Sequence, residues 1–557
     1  MKKCNKKFIF NPCPFKTILI LIAVIVFFIV PIKISLASPS INVPLDSWVY
    51  PAISRFETLQ AFEGNSTIAL NTTPLTRFEI ASLIDTALFN LQKGKVKLKQ
   101  ADLLLMDKLV KEFQAELSVL DLDNLNSELT LKIEPYFTQE MDLFYPENIN
   151  LEKLNLLSEL GAKISATFSE NTTLHLDALA HTDFNWVSNI QEGEIPFRVQ
   201  IKQAYINLNL PSFKITISDN VSFLPDNIEI SDFYLLVGRD NMRWGPGYQG
   251  SLMLSDNSPA FDMFKYSGTI DLNNSGESLG KINFTKFFSL LDTLGEQNRY
   301  FSGQRLEYKP TSTLALGLSE TVIISEDSSI LFYNPIPFIP PYYATWWIAG
   351  MFEPQEVNCN VALDAEINLT QKIKLYGEWM ADDFIFTPWN NPFPNRAGFL
   401  AGAYFADPFG SGNTDFRIEY THINNYVYFP RHSWQDYLYQ GEYIGHYLGP
   451  DADQLYLGLT HHLSDRLNLS LSYNQERHGE GQIGIPLPSD PMIANENIFL
   501  SGIIEKQQVY QAKLSYTISP QWEFSVGVIW ENIKNKDNNI GVDEKNTYFQ
   551  MELEYQW

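Results

Sequence analysis

The sequence predicts an exported, all-β membrane protein: a closed antiparallel outer-membrane β-barrel preceded by a small α-helical N-terminal unit. Three observations predict it. From about Glu128 onward the side chains alternate with period two, aromatic residues sit at the ends of those stretches around aliphatic middles, and the last stretch keeps its alternation up to Trp557. Composition agrees, with 14% aromatic residues and a slightly negative mean hydropathy. In a barrel only alternate residues meet lipid, so average hydropathy stays modest while tyrosine and tryptophan gather at the two interfaces.

The first 37 residues read as a signal peptide. Lys2, Lys3, Lys6, Lys7 and Lys16 form a basic region, Thr17 to Val30 is continuously apolar, and Ser35-Leu36-Ala37 supplies small residues for cleavage after Ala37. The alternative is a retained anchor, but the apolar run falls short of the ~20 residues a spanning helix needs. Cys4 and Cys13 precede that run, so neither is a lipoprotein cysteine. Loss of the leader removes six lysines and no acids, leaving 34 basic against 65 acidic residues. Such an acidic chain is unsuited to nucleic acid by bulk charge. Cys359 alone remains, which excludes an intramolecular disulfide framework and a multi-cysteine metal site.

Helical spacing follows. Val49, Ala52, Ile53, Phe56 and Leu59 recur behind Trp48. Thr76-Arg77-Phe78-Glu79 reads as a capping box opening a helix with Ile80, Leu83, Ile84 and Ala87 on one face. Met106, Leu109, Val110, Phe113, Leu117 and Leu120 continue the period. We divide this region into a module over residues 38–92 and a connector or periplasmic plug over 93–127, with the barrel occupying 128–557.

Within the barrel, Ile373, Leu375, Gly377 and Trp379 alternate with Lys372, Lys374, Tyr376 and Glu378, and Leu467, Leu469, Leu471 and Tyr473 alternate with polar residues. Similar stretches lie near 160–168, 313–319, 414–421 and 513–518. Trp522, Phe524, Val526, Val528 and Trp530 share one face. At ~3.3 Å per residue and a tilt of ~40° the two tryptophans stand roughly 20 Å apart along the membrane normal, close to the height of an outer-membrane apolar band. Phe549, Met551, Leu553, Tyr555 and Trp557 alternate to the C-terminus, resembling the signal read by the barrel-insertion machinery, with Trp in place of the usual Phe. Allowing about ten residues per strand, the chain accommodates roughly 16 to 18 strands. Asn334 to Trp347 is rich in proline and aromatics and reads as a long loop, as do 387–396, 426–447 and 479–497.

One segment is more specific. Gly238-Arg239-Asp240, Arg243-Trp244-Gly245-Pro246-Gly247-Tyr248, Leu254-Ser255-Asp256-Asn257, Pro259 and Phe261-Asp262 resemble the signature of the Wzi capsule-assembly family of outer-membrane proteins. Leu375-Tyr376-Gly377-Glu378-Trp379 with Asp382-Asp383, Glu419-Tyr420-Thr421-His422, and Gly445-His446 with Leu448-Gly449-Pro450-Asp451-Ala452-Asp453 are similar to it in the same order. The resemblance covers about residues 130 to 557. It implies an 18-stranded, occluded barrel acting as a lectin for capsular or extracellular polysaccharide, with a helical bundle closing the periplasmic end. Here that place is taken by a segment in which Val43-Pro44-Leu45-Asp46, Trp48, Ala52-Ile53 and Thr76-Arg77-Phe78-Glu79 resemble one shortened S-layer homology module. Such modules bind cell-wall polymers, which makes Trp48, Thr76, Arg77 and Glu79 candidate wall contacts with peptidoglycan or a related polymer as partner; the other reading is a capped helix in a plug.

A polysaccharide receptor needs aromatic faces for sugar rings and planar or charged groups for hydroxyls and uronates. Tyr342, Tyr343, Trp346 and Trp347 offer the first, and Tyr426, Arg431, His432 and Trp434 offer both; belt or loop packing is the competing reading for each. Arg239, Asp240, Arg243 and Trp244 join the candidate polysaccharide contacts, although the favoured role for them is architectural, with buried ion pairs around Gly245-Pro246-Gly247 locking a loop in the lumen. No catalytic motif, nucleotide loop or metal spacing is present, so no cofactor, metal or catalytic residue is expected. His461 and His462 are adjacent on a strand and point to opposite faces. Asp382-Asp383 and Asp451-x-Asp453 carry oxygen donors suited to calcium but read as solvated carboxylates. The competing function is a porin-type transport barrel with a wall-anchoring module.

Overall fold

The computed structural model describes residues 41–64, 68–120, 130–146, 153–169, 171–187, 197–216, 227–271, 280–294, 297–325, 358–383, 394–428, 435–483 and 488–556. The leader expected over residues 1–37 and the loop from Asn334 to Trp347 lie outside them.

Eighteen antiparallel strands form a closed barrel, beginning with Thr130–Pro146 and ending with Glu544–Gln556. Closure is direct, since the first strand pairs with the last from Tyr136↔Gln556 to Pro146↔Asn546. Phe197–Leu210 and Phe213–Thr216 keep a common register against Asn227–Asp240 and count as one strand interrupted at Pro211, which has no amide hydrogen for the ladder.

The sidedness of the wall identifies its solvent. In Asn358–Thr370, Ala362, Asp364, Glu366 and Asn368 are buried in the lumen, whereas Leu363 and Leu369 point outward, 49% and 58% exposed. Charged residues inside and leucines outside invert the order of a water-soluble sandwich and suit a bilayer. Leu306, Leu316, Leu318, Leu375, Phe399, Ile418 and Leu471 extend the outer apolar belt, and Trp522 and Trp530 lie exposed at opposite ends of that face of Trp522–Lys534.

Long connections cluster at one end of the barrel, where residues 241–260, 424–428, 435–451, 479–483 and 488–504 lie, while the opposite end carries tight turns such as those at 312–313, 371–372 and 465–466. The barrel's first and last residues are at the tight-turn end, the periplasmic end of outer-membrane barrels.

The N-terminal unit consists of α1 (Val49–Thr58), α2 (Arg77–Gln92), α3 (Gln100–Glu112) and α4 (Gln114–Leu120). Thr76 caps α2 as its sequence requires: its hydroxyl accepts from the Glu79 amide, and the Glu79 carboxylate accepts from the Thr76 amide at 2.7 Å. Phe56, Ile80, Leu83, Ile84, Leu109 and Phe113 form one fully buried core that joins α1, α2 and α3, with Leu117 of α4 packed against it, so the boundary drawn at 92/93 falls inside a packed unit. Burying each such side chain contributes about 1.5–3 kcal/mol.

Two bodies therefore occupy the lumen. The N-terminal unit enters from the tight-turn end, and residues 241–260 fold in from the other. Arg55 latches the first body to the wall, donating to Asp102 at 2.8 Å and to the Gly412 carbonyl at 3.0 Å and pairing with Asp415. Lys99 reaches Asp407 at 2.8 Å, and Lys374 of the wall reaches Glu57 at 2.8 Å. Burial alone raises the Asp407 carboxyl, but donors from Lys99, Gly412 and Lys372 outweigh it and bring the group down to about 2.

Candidate functional site

The segment from Asp240 to Phe261 is built into the interior. Leu252, Met253 and Leu254 are fully buried among Phe261, Phe287, Phe301, Tyr376 and Tyr428. This apolar tripeptide leaves amides and carbonyls that must be paired inside the lumen. Two wall carboxylates supply acceptors. Glu378 takes the amides of Gly247 and Leu252 at 2.9 and 2.8 Å, and Glu419 takes those of Tyr248 and Gln249 at 2.6 and 2.8 Å. Gly245 has φ +120°, and a Cβ there would collide with the Glu378 carboxylate, so glycine is required. The Arg417 guanidinium stacks on Tyr248 and on Tyr404, 4.2 and 4.4 Å from their ring centroids.

Residues 424–428 and 435–451 close over this segment. The Tyr437 hydroxyl donates to the Met253 carbonyl at 2.9 Å, the Tyr428 hydroxyl donates to the Leu252 carbonyl, and the Ser255 amide donates to the Ile444 carbonyl at 2.9 Å. Tyr428 and Tyr437 stack with centroids 5.4 Å apart.

From below, the N-terminal unit reaches the same segment. Thr72–Thr73 forms an antiparallel ladder with Arg243–Trp244, extended where the Gly245 amide donates to the Asn71 carbonyl at 2.9 Å. Asn42 donates from its side chain to Asp240 at 2.7 Å and from its backbone to the Tyr205 hydroxyl at 2.8 Å. Arg305 of the wall donates to Thr72 at 2.8 Å while holding Asp364 through both terminal nitrogens, at 2.5 and 3.0 Å, and lies beside Glu307.

The candidate residues of the sequence analysis separate into three groups. Asp240 and Trp244 are 0% and 2% exposed, and Tyr426 is 5% exposed; Asp240 and Trp244 thus suit the loop-locking role better than a polysaccharide contact, and Tyr426, expected as a polysaccharide contact, is buried. Arg239 makes a two-pronged pair with Asp262, 2.9 Å for each bond, and Arg243 donates to the Gly247 and Tyr248 carbonyls and to Ser251. The second group, Tyr342, Tyr343, Trp346, Trp347, Arg431, His432 and Trp434, lies outside the described residues. The third is the S-layer-like set. Thr76 and Glu79 satisfy each other, and burial pushes the Glu79 carboxyl up. Arg77 is held by Glu112 and Glu116 at 2.7 and 2.6 Å over the ring of Phe113, and Lys108 covers Trp48. All four side chains are engaged within the fold.

Asp451 and Asp453 also serve the fold. Asp451 accepts from the amides of Gly481 and Ser501, and Asp453 pairs with Arg477. Glu378 and Glu419 stand within the family-like strings Leu375-Tyr376-Gly377-Glu378-Trp379 and Glu419-Tyr420-Thr421-His422, which by themselves assign them no role. Their signal was present: each is a carboxylate on the inward face of an alternating strand, where a charge must find a partner.

The family model described as capsule assembly protein Wzi matches residues 227–325 and 358–548. The chain belongs to the Wzi capsule-assembly family. The match takes in the inserted segment, its two supporting glutamates and residues 424–451. Among solved structures, the Wzi-family barrel is similar to Wzi of Escherichia coli, an outer-membrane protein described as a carbohydrate-binding β-barrel involved in group 1 capsule assembly. Identity is 15%, the TM-score is 0.55, and 93% of this chain and 99% of that one are covered. The outer-membrane protein OprD of Pseudomonas aeruginosa aligns at 10% identity with a TM-score of 0.38, over 77% of this chain and 93% of that one. No curated protein matches the sequence.

Proposed function

We propose that this Wzi-family barrel resides in the outer membrane, binds capsular or extracellular polysaccharide at its long-connection end, holds it at the cell surface, and performs no chemistry on it. The observation that carries this reading is the filled lumen: two inserted bodies meet at the Thr72–Thr73 and Arg243–Trp244 ladder. A barrel so closed is suited to a receptor and unsuited to steady conduction, which sets aside the porin alternative. The E. coli relative's description as carbohydrate-binding supports the same assignment.

On this reading Arg239, Asp240, Arg243 and Trp244 hold the inserted segment in place, and sugar contact belongs to the aromatic connections carrying Tyr342, Tyr343, Trp346, Trp347, Arg431, His432 and Trp434. The helical unit faces the periplasm. Deleting the gene and comparing polysaccharide retained by cells with that shed into the medium tests the proposal. Increased shedding at unchanged total synthesis is expected; unchanged retention would sink it. Planar-bilayer recordings of the purified protein should show no steady channels of nanosiemens scale.

A further inference from the structure

Three neighbouring strands, Leu467–His478, Glu505–Ser519 and Trp522–Lys534, carry matched rows of side chains where they approach the long-connection end. Their register aligns Tyr473↔Tyr510↔Trp530, then Gln475↔Gln508↔Asn532, then Arg477↔Lys506↔Lys534. Alternation puts all three rows on the side of Leu471, away from the lumen. The aromatic row is the upper girdle of the apolar belt: the Tyr473 and Tyr510 rings lie 4.9 Å apart, and Tyr510 and Trp530 are 48% and 50% exposed. The amide row is bonded to it, since Gln508 donates to the Tyr473 hydroxyl at 2.9 Å and that hydroxyl donates to Gln475 at 3.2 Å. The basic row stands four residues beyond the girdle. At ~3.3 Å per residue and a tilt of ~40° this is roughly 10 Å higher along the membrane normal, the level of lipid headgroups.

Nothing in the fold compensates this basic row. Like charges directly opposite one another destabilise a sheet, yet Lys506 faces Lys534 on one side and Arg477 on the other, in a chain of net charge −25. Other cations of these strands find acids: Arg477 is held by Asp453 at 2.9 Å, Lys513 by Glu552 at 2.9 Å, and Lys536 by Glu544 at 2.8 Å. Lys506 and Lys534 pair with no carboxylate among the described residues, although Lys506 is partly exposed and Lys534 exposed. Lys545, one strand further on, stands opposite Asn532 and adds another cation to the same edge. A row of opposed cations at headgroup height calls for an anion from outside the chain.

We propose that Arg477, Lys506 and Lys534 bind the phosphates of a phosphorylated glycolipid of the outer leaflet, with Gln475, Gln508 and Asn532 facing its sugar hydroxyls and the Tyr473, Tyr510 and Trp530 rings against its acyl chains. Strands lie about 4.8 Å apart, so the three cations span about 10 Å. That width suits a headgroup carrying two phosphates better than a single phosphodiester. Charge-assisted bonds from these donors to phosphate oxygens are stronger than neutral ones, and the bound anion removes the repulsion between Lys506 and Lys534. The proposal rests on the outer-membrane reading and concerns the lipid around the wall, not the polysaccharide at its mouth.

The test follows the thermal midpoint of delipidated, full-length protein in detergent as bisphosphorylated lipid A is added. Wild type should rise in midpoint with lipid A and stay unmoved by inorganic phosphate. K506Q/K534Q should need on the order of tenfold more lipid A for half of its shift. Its midpoint without lipid should be no lower than that of wild type, because two opposed charges are gone and no ion pair is lost. Lys132→Gln, at the tight-turn end and paired with Glu134 at 2.7 Å, should respond as wild type. The proposal is overturned if K506Q/K534Q responds like wild type, if dephosphorylated lipid A shifts wild type equally, or if phosphatidylglycerol shifts it as far as lipid A does. Membrane fractionation separates the two readings. Protein recovered outside the outer membrane would remove the reading on which this one rests, whereas outer-membrane protein without a lipid A shift would remove the lipid site alone.

Discussion

Thr73 of the N-terminal unit stands opposite Arg243 of the inserted segment, and its hydroxyl donates to the Arg243 carbonyl at 3.2 Å. On the far side of the same segment, the Trp244 amide donates to the Leu254 carbonyl at 2.9 Å, and Leu254 adjoins the residues held by Tyr437 and Ile444. Hydrogen bonds thus tie the helical unit to the inserted segment and that segment to residues 435–451. Separating the two bodies inside the lumen requires breaking that ladder.

A cysteine pair at positions 73 and 243 reports this contact. Opposed residues of an antiparallel ladder have Cα atoms about 4.5–5.5 Å apart, within the roughly 4.4–6.8 Å a disulfide spans. The T73C/R243C protein should oxidise to a species in which the two peptides are joined, detected by mass spectrometry, while Cys359, buried in the wall, stays reduced. Two free thiols at those positions after oxidation would mean that the N-terminal unit does not reach the segment.

Glu378 carries two buried amides, so its removal should be costly. Glu378→Ala leaves Gly247 and Leu252 without acceptors, at about 1–3 kcal/mol for each unsatisfied group. Glu378→Gln keeps one carbonyl oxygen and should lose less. Gly245→Ala drives a methyl group into the same carboxylate. The thermal midpoint in detergent should therefore rank wild type above Glu378→Gln, and Glu378→Gln above Glu378→Ala. Equal midpoints would show that the segment is held elsewhere.

Much of this architecture is legible in the residues. The dyad repeat of Ile373 to Trp379 and Trp522 to Trp530 places their strands at Ile373–Asp383 and Trp522–Lys534, because period two follows from the pleat itself. The Thr76 to Glu79 capping box is also local and is found as written. What the sequence hides is long-range. Thr72 and Trp244 lie 172 positions apart, and nothing in a two-residue strand announces its partner. For Asp240 and Trp244 the residues leave a buried, loop-locking role and a ligand contact both open, since an inward-facing group can meet a plug as well as a ligand.

Arg305 tests the wall. It lies 1% exposed between Asp364 and Glu307 and reaches Thr72 of the N-terminal unit. Arg305→Met removes the only cation paired with Asp364 among the described residues and leaves that buried carboxylate without compensation, at about 3–5 kcal/mol. Its midpoint should fall well below wild type, and neutralising the partner as well, in R305M/D364N, should recover part of the loss. A double variant less stable than Arg305→Met would argue that Asp364 has a second role.

His446 sets a pH dependence. Burial pushes its imidazole down to about 3, with Arg243 adding to the effect while Glu476 and Asp256 oppose it, whereas in the unfolded chain it titrates near ~6.5. Between those values the unfolded protein binds a proton that the folded protein does not. Stability therefore falls as pH drops below about 6.5 and keeps falling toward the folded value, by about 2 kcal/mol at pH ~5. In His446→Asn, whose side-chain oxygen can still accept from the Leu448 amide as Nδ1 does at 3.3 Å, this contribution disappears. The difference in thermal midpoint between pH ~7.5 and ~5 should shrink in the variant. If it keeps the wild-type value, the imidazole is reached by water and residues 435–451 do not shield it.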